Sequence, residues 1–513
     1  MTRLYERLTP DSSDVRRART GLLLALAAAL LLRVWGLAQG IPFSVGVDEP
    51  EIMDRAVRMM KTGDFNPHFF DYPSLYIYVQ VIVAIARFIT GAVAGKWGSL
   101  GEASTFDFYL WARAVTAITG AATVWIVYHA GLRWGARTAL LAAVILAVMP
   151  MHVRESHYVL TDAPMTFFVT LTLLLSLRAS ERPAMGSFAL AGVAAGLAAA
   201  TKYTGVLAIV MPLIACVMTP ATLTTRLQAA LAVLAACLAA FFVAAPYTLL
   251  DLPTFLNQFA RLASLYRSQV VSGSIAVIYF KHLRNALHWP ASLLAVTGIG
   301  LGLTRASVGP ERLKWMLATV FPLLYFWFVS HQHIVFGRYL LPILPFLALF
   351  AAAAVTWIVS RVPRSSVPRG WRKAIAASLM LLAVVPVTIE AIRFDADLSR
   401  TWTTEMAYRW LLANIPAGSS ITIETRGLLL PPTYKSSNVV QLRLQSTGQY
   451  AANGVNYLVA SSQVYGPFTA DPRSYPDEYG DYVRLFRETQ EVARFIPSNE
   501  HPGPEVRVLK VMR

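Results

Sequence analysis

Two adjacent carboxylates stand just beyond the first long apolar run of the chain, which covers about Leu22 to Ala38. Asp48 lies three residues before Glu51, the spacing of a capping box at a helix start, so its simplest use is as a helix cap. Glu49 is not needed for such a cap. A fixed carboxylate also has the chemistry to accept a proton from a hydroxyl group. The pair therefore marks a helix start, a chemical site, or both.

A second polar segment follows, after an amphipathic stretch that ends at Gly63. It places His68, Asp71 and Tyr72 among aromatic residues and two prolines, and prolines favour extended backbone in the residue before them. An aromatic turn is the simpler interpretation. A metal site built from His68 and Asp71 is the alternative, although two ligands are few for a metal.

A third segment, Met151 to Pro164, brings Arg154, His157 and Asp162 close together in the chain. Thr161 or Asp162 has the right type and place to cap the apolar run that follows. A cap accounts for one acid and leaves Arg154 and His157 unexplained. The segment is therefore a second candidate site.

Isolated basic groups complete the set. Lys202 lies between two apolar stretches, where it either snorkels to the membrane surface or serves a function. His331, His333 and Arg338 precede another apolar run. Cations that face acids at a membrane surface suit an anionic headgroup, with an acid nearby to handle a proton.

The composition indicates the elements that must position these groups. Of 513 residues, 56% are hydrophobic and 14% are charged, against about 25% charged in soluble proteins. The apolar residues form repeated runs of about 20, the length of a membrane-spanning helix. The net charge of +16 lies in short loops between runs, so it indicates cytoplasmic loops and not nucleic-acid binding. The cysteines, Cys216 and Cys237, lie in apolar runs without disulfide or metal spacing.

The apolar runs predict a polytopic α-helical membrane protein. The candidate spans lie at 20–40, 72–95, 108–131, 137–153, 163–179, 187–201, 203–219, 226–246, 285–304, 313–330, 338–360 and 372–392. Arg16, Arg17 and Arg19 predict a cytoplasmic N-terminus, 1–19, and place Asp48 outside. If 72–95 does not cross the membrane, the later basic loops, including Arg361 to Lys373, all lie on the cytoplasmic side. We therefore expect about eleven spans, within a range of about 11–13.

Three domains follow from this assignment: the cytoplasmic N-terminus, a membrane domain over 20–392 and an outer domain over 393–513. The first outer loop, 41–107, is expected to carry interfacial helices. In the outer domain, strand patterns at 420–424, 456–460 and 506–511 alternate with helical patterns at 402–414 and 482–495. Such alternation predicts a small α/β fold.

The order of these motifs resembles a known family. The matching pieces are Asp48-Glu49, Asp71-Tyr-Pro-Ser-Leu75, Arg113, Ser156 to Pro164, Thr201-Lys202-Tyr-Thr-Gly205, and Arg338-Tyr-Leu-Leu-Pro342-Ile-Leu-Pro345. They cover roughly residues 20–360 and resemble glycosyltransferase family 39, the GT-C-fold enzymes that include protein O-mannosyltransferases and lipid A aminoarabinose transferases. The turn near Asp71 lacks the Pro-Pro-Leu of many relatives, which puts a lipid-binding role for that turn in doubt.

The resemblance implies transfer of a sugar from a polyprenyl-phosphate donor to an acceptor hydroxyl, with inversion and with membrane lipids as surroundings. Asp48 would activate the hydroxyl, Glu49 would support it, and Asp162 matches the second outer acid of the family. Lys202 and Arg338 would hold the donor phosphate, with His157 and Arg154 behind them. His68, Asp71, Tyr72, His331 and His333 are additional candidates.

The resemblance also implies surroundings and partners. The C-terminal region does not read as a β-trefoil, so the chain resembles bacterial members, in the inner membrane with the active face and C-terminal domain outside. The acceptor would be a glycan, a lipid or a protein. No cofactor is expected, and dependence on a divalent metal stays open.

Two other classes of function remain. A transporter or flippase for lipid-linked sugars would show broken helices and internal repeats, and neither is visible in the sequence. A non-catalytic envelope-assembly subunit with a degraded site predicts that Asp48→Asn has no effect.

Overall fold

Apolar helices make up most of the chain. The computed structural model describes residues 12–46, 48–268, 273–309, 311–363, 368, 370–424 and 428–512. The side chains of Arg16 and Arg17, and the residues Arg364 and Arg369, lie outside this described part. The chain divides into two units: the described residues within Met1–Val34, Arg55–Lys96 and Trp111–Phe394 form the first, and those within Trp35–Asp54, Trp97–Leu110 and Asp395–Arg513 form the second.

The helices are numbered in chain order. They are α1 Ser12–Val34, α2 Glu49–Thr62, α3 Leu75–Val93, α4 Phe106–Gly131, α5 Ala136–Ala147, α6 Pro150–Glu155, α7 Asp162–Glu181, α8 Met185–Thr201, α9 Val210–Met218, α10 Leu223–Ala244, α11 Tyr247–Leu250, α12 Leu252–Ser268, α13 Ile275–Ser307, α14 Arg312–Val329, α15 Leu344–Arg361, α16 Trp371–Leu398, α17 Thr403–Asn414, α18 Thr447–Ala452, α19 Ser462–Ala470 and α20 Pro476–Glu488. Short 3-10 helices lie at Leu132–Trp134, Tyr203–Ile209, Gly337–Ile343 and Leu442–Leu444.

The expectation of a polytopic membrane protein is confirmed. In the described residues, 8 helices are long and apolar enough to cross a membrane, and three shorter apolar helices lie at Ala136–Ala147, Met185–Thr201 and Tyr203–Met218. Leu75–Val93 is one of the 8, so the expectation that 72–95 stays on one side rests on charge distribution alone. The first helix, Ser12–Val34, ends earlier than the expected span 20–40.

Small residues let the helices of the first unit approach closely. A Cβ atom on Gly192 would lie 2.4 Å from the carbonyl oxygen of Val233, and one on Gly196 would lie 2.3 Å from that of Cys237. The two glycines are four residues apart and so share one face of α8. Helix α8 therefore packs on α10 through a small-xxx-small pattern, the usual device for tight helix pairs in membranes.

Three apolar helices are interrupted, and two of the interruptions carry predicted site residues. Lys202 ends α8 in an extended conformation (φ −153°, ψ 134°) before the 3-10 helix Tyr203–Ile209. Arg338 lies in the 3-10 helix that precedes α15. Helix α13 kinks at His288, two residues before Pro290. Backbone groups freed at such breaks must find other partners, so breaks recur where a protein builds a polar site.

The second unit contains the expected α/β fold. Its sheet has the order β2-β1-β3-β5-β4. The strands are β1 Ser420–Glu424, β2 Lys435–Val439, β3 Tyr457–Ser461, β4 Thr489–Phe495 and β5 Val506–Val511. Strand β1 is parallel to β2 and β3, whereas β5 is antiparallel to β3 and β4.

Two expectations for this unit were wrong. The helix predicted over 482–495 ends at Glu488, and Thr489–Phe495 is strand β4, because its pairing with β5 overrides a mixed local pattern. Strand β2 was not predicted, since it is an exposed polar edge strand without alternation. The segment 41–107 also contributes to the second unit, where the Leu429 amide donates to the Phe43 carbonyl at 3.1 Å.

Candidate active site

The acidic pair lies in the second unit, at the start of α2. Glu49 is fully buried, and its Oε2 accepts a hydrogen bond from the Gly46 amide at 2.6 Å. The carbonyl oxygen of Asp48 accepts from the Glu51 amide at 3.2 Å. A carboxylate bonded to the backbone ahead of a helix stiffens that turn. Glu49, which the sequence left without a capping role, is therefore the residue that anchors the helix start, and Asp48 is the half-buried acid beside it.

The first unit holds the clearest charged cluster. Lys202 Nζ lies 2.7 Å from Asp162 Oδ1, and Arg338 Nε lies 3.7 Å from Asp162 Oδ2. The side chains are 10%, 3% and 17% exposed in the order Lys202, Asp162, Arg338. One buried carboxylate thus faces two cations. Cations in a site with little water attract an anion more strongly than they would in bulk water.

Three separate elements supply the cluster. Asp162 is the first residue of α7, and its N-cap Thr161 makes no side-chain capping bond. Of the two caps that the sequence offered, Thr161 or Asp162, Thr161 therefore holds the N-cap position without a side-chain capping bond. Lys202 and Arg338 come from the two helix interruptions described above. An acid at a helix N-terminus is favoured by the helix dipole.

Aromatic rings surround the two cations. Lys202 Nζ lies 4.2 Å from the Tyr339 ring centroid, and the Arg338 guanidinium lies 4.5 Å from that of Phe336. The hydroxyls of Tyr266 and Tyr339 are 2.7 Å apart. Burial raises the pKa of Tyr266, so its hydroxyl stays protonated at neutral pH and remains able to donate.

A cavity of about 380 Å³ opens beside the cluster. Its walls include two predicted site residues from the segment 41–107, Asp71 and Tyr72, together with Lys202, His331 and Tyr339. The size lies within the range of small-molecule sites. The first unit therefore brings several of the predicted residues to one cavity with mixed aromatic and charged walls.

His68 and Asp71 have different partners, contrary to a shared metal site. Asp71 pairs with Arg261, whereas His68 Nε2 lies 2.9 Å from Asp64 Oδ2. His68 has a φ of 49°. Gln258 accepts from the Phe70 amide at 2.8 Å and so ties this turn to α12. Within the ranges that the structure describes, no group of three or more His, Cys, Asp or Glu side chains is placed to hold a metal ion.

The remaining predicted residues lie outside the cavity walls. His157 is buried, and its Nδ1 lies 2.9 Å from the Val153 carbonyl oxygen. Arg154 pairs with Glu155 at 2.8 Å. Burial raises the pKa of Glu155, while the Arg154 guanidinium lowers it. His333 is exposed, and its backbone amide donates to the Tyr266 carbonyl at 2.9 Å.

Sequence reasoning missed several residues of the cavity. The missed residues are Tyr203, Phe259, Tyr266 and Tyr325. The Tyr203 hydroxyl donates to the Phe70 carbonyl at 2.9 Å, which joins the segment 41–107 to the interruption at Lys202. No local motif marks such tyrosines. The available signal was that tyrosines stood beside the singled-out cations, as Tyr203 and Tyr339 do.

Comparisons with known proteins bear on both the fold and the family. Residues 72–227 match the family model of dolichyl-phosphate-mannose-protein mannosyltransferases. The dolichyl-phosphate-mannose–protein mannosyltransferase 1 of Saccharomyces cerevisiae is 29% identical over 164 residues, which is 27% of this chain and 19% of that protein. The chain thus spans about a fifth of the curated relative it matches.

Solved structures resemble nearly the whole chain. The oligosaccharyltransferase of Archaeoglobus fulgidus superposes with a TM-score of 0.59 at 13% identity, covering 96% of this chain and 76% of that one. ArnT from Cupriavidus metallidurans, bound to undecaprenyl phosphate, superposes with a TM-score of 0.54 at 17% identity, covering 96% and 98%. The chain therefore has the GT-C fold that the resemblance implied, and its residues 72–227 carry the match to the mannosyltransferase family.

Proposed function

We propose that the protein is an integral membrane glycosyltransferase that moves a sugar from a polyprenyl-phosphate donor to an acceptor hydroxyl. The observation that carries this proposal is the buried cluster of Asp162, Lys202 and Arg338 beside the 380 Å³ cavity. Two of its three residues lie within the segment that matches the mannosyltransferase family. A relative in fold, ArnT, was solved with undecaprenyl phosphate.

The charge of the cluster suits a phosphate leaving group. In the proposed step, the acceptor oxygen attacks the anomeric carbon while the bond from that carbon to the phosphate oxygen breaks. The bonding electron pair leaves with the phosphate, so the transition state gains negative charge there. Lys202 and Arg338 are the donors that stabilise this charge.

The proton of the acceptor goes to a carboxylate, and Asp48 is our candidate for this base. Asp162 was expected to be a second catalytic acid, but both of its oxygens already face cations. We assign it a positioning role, in which it holds Lys202 and Arg338 at the donor phosphate. A single displacement of this kind inverts the anomeric centre.

The site faces the outer side of the membrane in this proposal, because the positive-inside argument puts the acidic pair and Arg338 on that side. A bacterial inner membrane is the matching location. The donor is a polyprenyl-phosphate hexose or pentose, and the acceptor is a glycan, a lipid or a protein.

The test uses membranes that contain the full chain and a radiolabelled polyprenyl-phosphate mannose. We expect Lys202→Met and Asp48→Asn each to lower sugar transfer by about 10²-fold or more, as expected when a group that stabilises the transition state or moves its proton is lost. Asp64→Asn removes an exposed acid near the same helix and is expected to leave transfer unchanged. Equal transfer by wild type and Asp48→Asn would contradict the role of Asp48 as base.

A lipid-sugar flippase is the second candidate, because the helix interruptions at Lys202 and Arg338 are of a kind that transporters use. A flippase would move a fluorescent polyprenyl-phosphate lipid across proteoliposomes without forming a product. Movement without transfer would favour that function over the glycosyltransferase.

A further inference from the structure

A second cavity, of about 400 Å³, lies at the far end of α14 from the candidate active site. Lys314 lines this cavity, whereas Tyr325 lines the first one. Their separation of eleven positions corresponds to about 16 Å along a helix. The two cavities therefore sit toward opposite ends of the first unit, and the second has no part in the proposed transfer.

The walls of the second cavity carry an excess of positive charge. Arg133 is held by Glu181 through two bonds, at 2.7 and 2.8 Å. Lys314 and Arg305 share one carboxylate, that of Glu311, at 2.5 and 3.8 Å. Two cations with one acid leave a positive charge beside the cavity. An anion bound in the cavity would balance this charge.

The same walls contain a hydrogen-bond donor without an acceptor. The indole Nε1 atom of Trp134 is buried and has no hydrogen-bond partner in the part of the chain that the structure describes. A buried donor without an acceptor is costly. Such a donor beside an excess of cations fits a ligand with anionic oxygen atoms.

An apolar groove of about 190 Å³ lies along the same three helices, α13, α14 and α15. Ile299, Thr319 and Leu347, one from each helix, line it. The exposed face of α13 is apolar as well, since Val296 is 57% and Leu303 50% exposed. A ligand with an anionic head and hydrocarbon chains would fit both parts.

We propose that this second cavity binds the phosphate headgroup of an anionic membrane phospholipid, with its hydrocarbon chains in the apolar groove on the same helices. The positive-inside argument places Arg133, Arg305 and Lys314 on the cytoplasmic side, where anionic lipids are held by basic pockets between spanning helices. The bound lipid joins the ends of α13, α14 and α15. This inference does not depend on the transferase activity.

The experiment measures lipid retained by the purified full chain in native mass spectra. The probes are dioleoyl phosphatidylglycerol and dioleoyl phosphatidylcholine, which share their chains and differ in charge. We expect preferential retention of phosphatidylglycerol, reduced about tenfold by Lys314→Gln, since a charge-assisted hydrogen bond contributes about 1.5–3 kcal/mol. Trp134→Phe, which keeps an aromatic ring and loses the donor, should reduce this retention as well.

Arg312→Gln is the matched control. Arg312 is an exposed neighbour of Lys314 whose Nε donates to the Ala306 carbonyl at 3.2 Å, and it does not line the cavity. Its loss should leave retention unchanged. Equal retention of the two lipids, or equal loss in Arg312→Gln, would overturn the proposal. So would displacement of phosphatidylglycerol by millimolar inorganic phosphate, because that result would indicate a site for a small anion.

Discussion

Asp162 is the residue on which the charge balance of the candidate site depends. With its carboxylate removed, Lys202 and Arg338, 10% and 17% exposed, would lose the anion that both of them face. We therefore expect Asp162→Asn to lower the free energy of unfolding by about 3 kcal/mol, a typical cost of breaking a buried ion pair. Equilibrium unfolding in SDS measures this change.

The matched control is Asp71→Asn. Asp71 also pairs with an arginine, but Arg261 is 58% exposed and Asp71 27%, so the change should cost no more than about 1 kcal/mol. Adding Lys202→Met to Asp162→Asn should recover part of the lost stability, because it removes one of the two cations that the carboxylate had faced. A double variant with a lower free energy of unfolding than Asp162→Asn alone would contradict the pairing.

Glu505 makes a pH-dependent contribution to the stability of the second unit. Burial raises its pKa, but hydrogen bonds from Arg494, Tyr465 and Arg507 outweigh burial and lower the pKa to about 2 from 4.5. The pKa of Glu505 is lower in the folded than in the unfolded state. Its contribution to stability is therefore fully present above about pH 4.5 and is lost as the pH falls toward 2. We expect Glu505→Gln to destabilise the protein at pH 7 by about 1 kcal/mol.

The measurement is the difference in unfolding midpoint between wild type and Glu505→Gln from pH 7 to pH 3. That difference should shrink below pH 4.5. Glu500→Gln, at an exposed glutamate, should show no difference at any pH. A difference in unfolding midpoint between wild type and Glu505→Gln that grows on acidification would contradict the lowered pKa of Glu505.

At the scale of elements, the close pair of α8 and α10 depends on two glycines. A Cβ at Gly196 would stand 2.3 Å from the carbonyl oxygen of Cys237, which is backbone and has little freedom to move. The helices must separate to admit it, so we expect Gly196→Ala to cost about 1–3 kcal/mol of unfolding free energy. Gly186→Ala lies on the same helix with nothing within 4 Å, and it should change stability by no more than about 0.5 kcal/mol.

Sequence reasoning located the spanning elements because length and apolarity alone define them. It also singled out Lys202 and Arg338, since a cation in an apolar run is conspicuous. It did not foresee that both lie at helix interruptions, or that Asp162 pairs with them, because such contacts join residues 40 and more positions apart. Tyr266 was missed for the same reason: its hydroxyl meets that of Tyr339 across 73 positions.

At the scale of the whole molecule, the sidedness of the sites is the prediction with the widest consequences. Positive-inside places the turn at Leu132–Trp134 in the cytoplasm and the C-terminal domain outside. Ala136→Cys and Gly480→Cys test the two sides, since both positions are exposed in the structure. In intact cells an impermeant thiol reagent should label Gly480→Cys and leave Ala136→Cys unlabelled.

The native thiols provide the background for this experiment, because Cys216 and Cys237 are both buried and should stay unlabelled in the unmodified chain. Permeabilising the cells should then expose Ala136→Cys, which separates a cytoplasmic position from an inaccessible one. Labelling of both variants in intact cells would require 72–95 or another helix to cross differently. The cavity at Lys314 would then face outward, and the proposed binding of a cytoplasmic-leaflet lipid would fail together with the eleven-span arrangement.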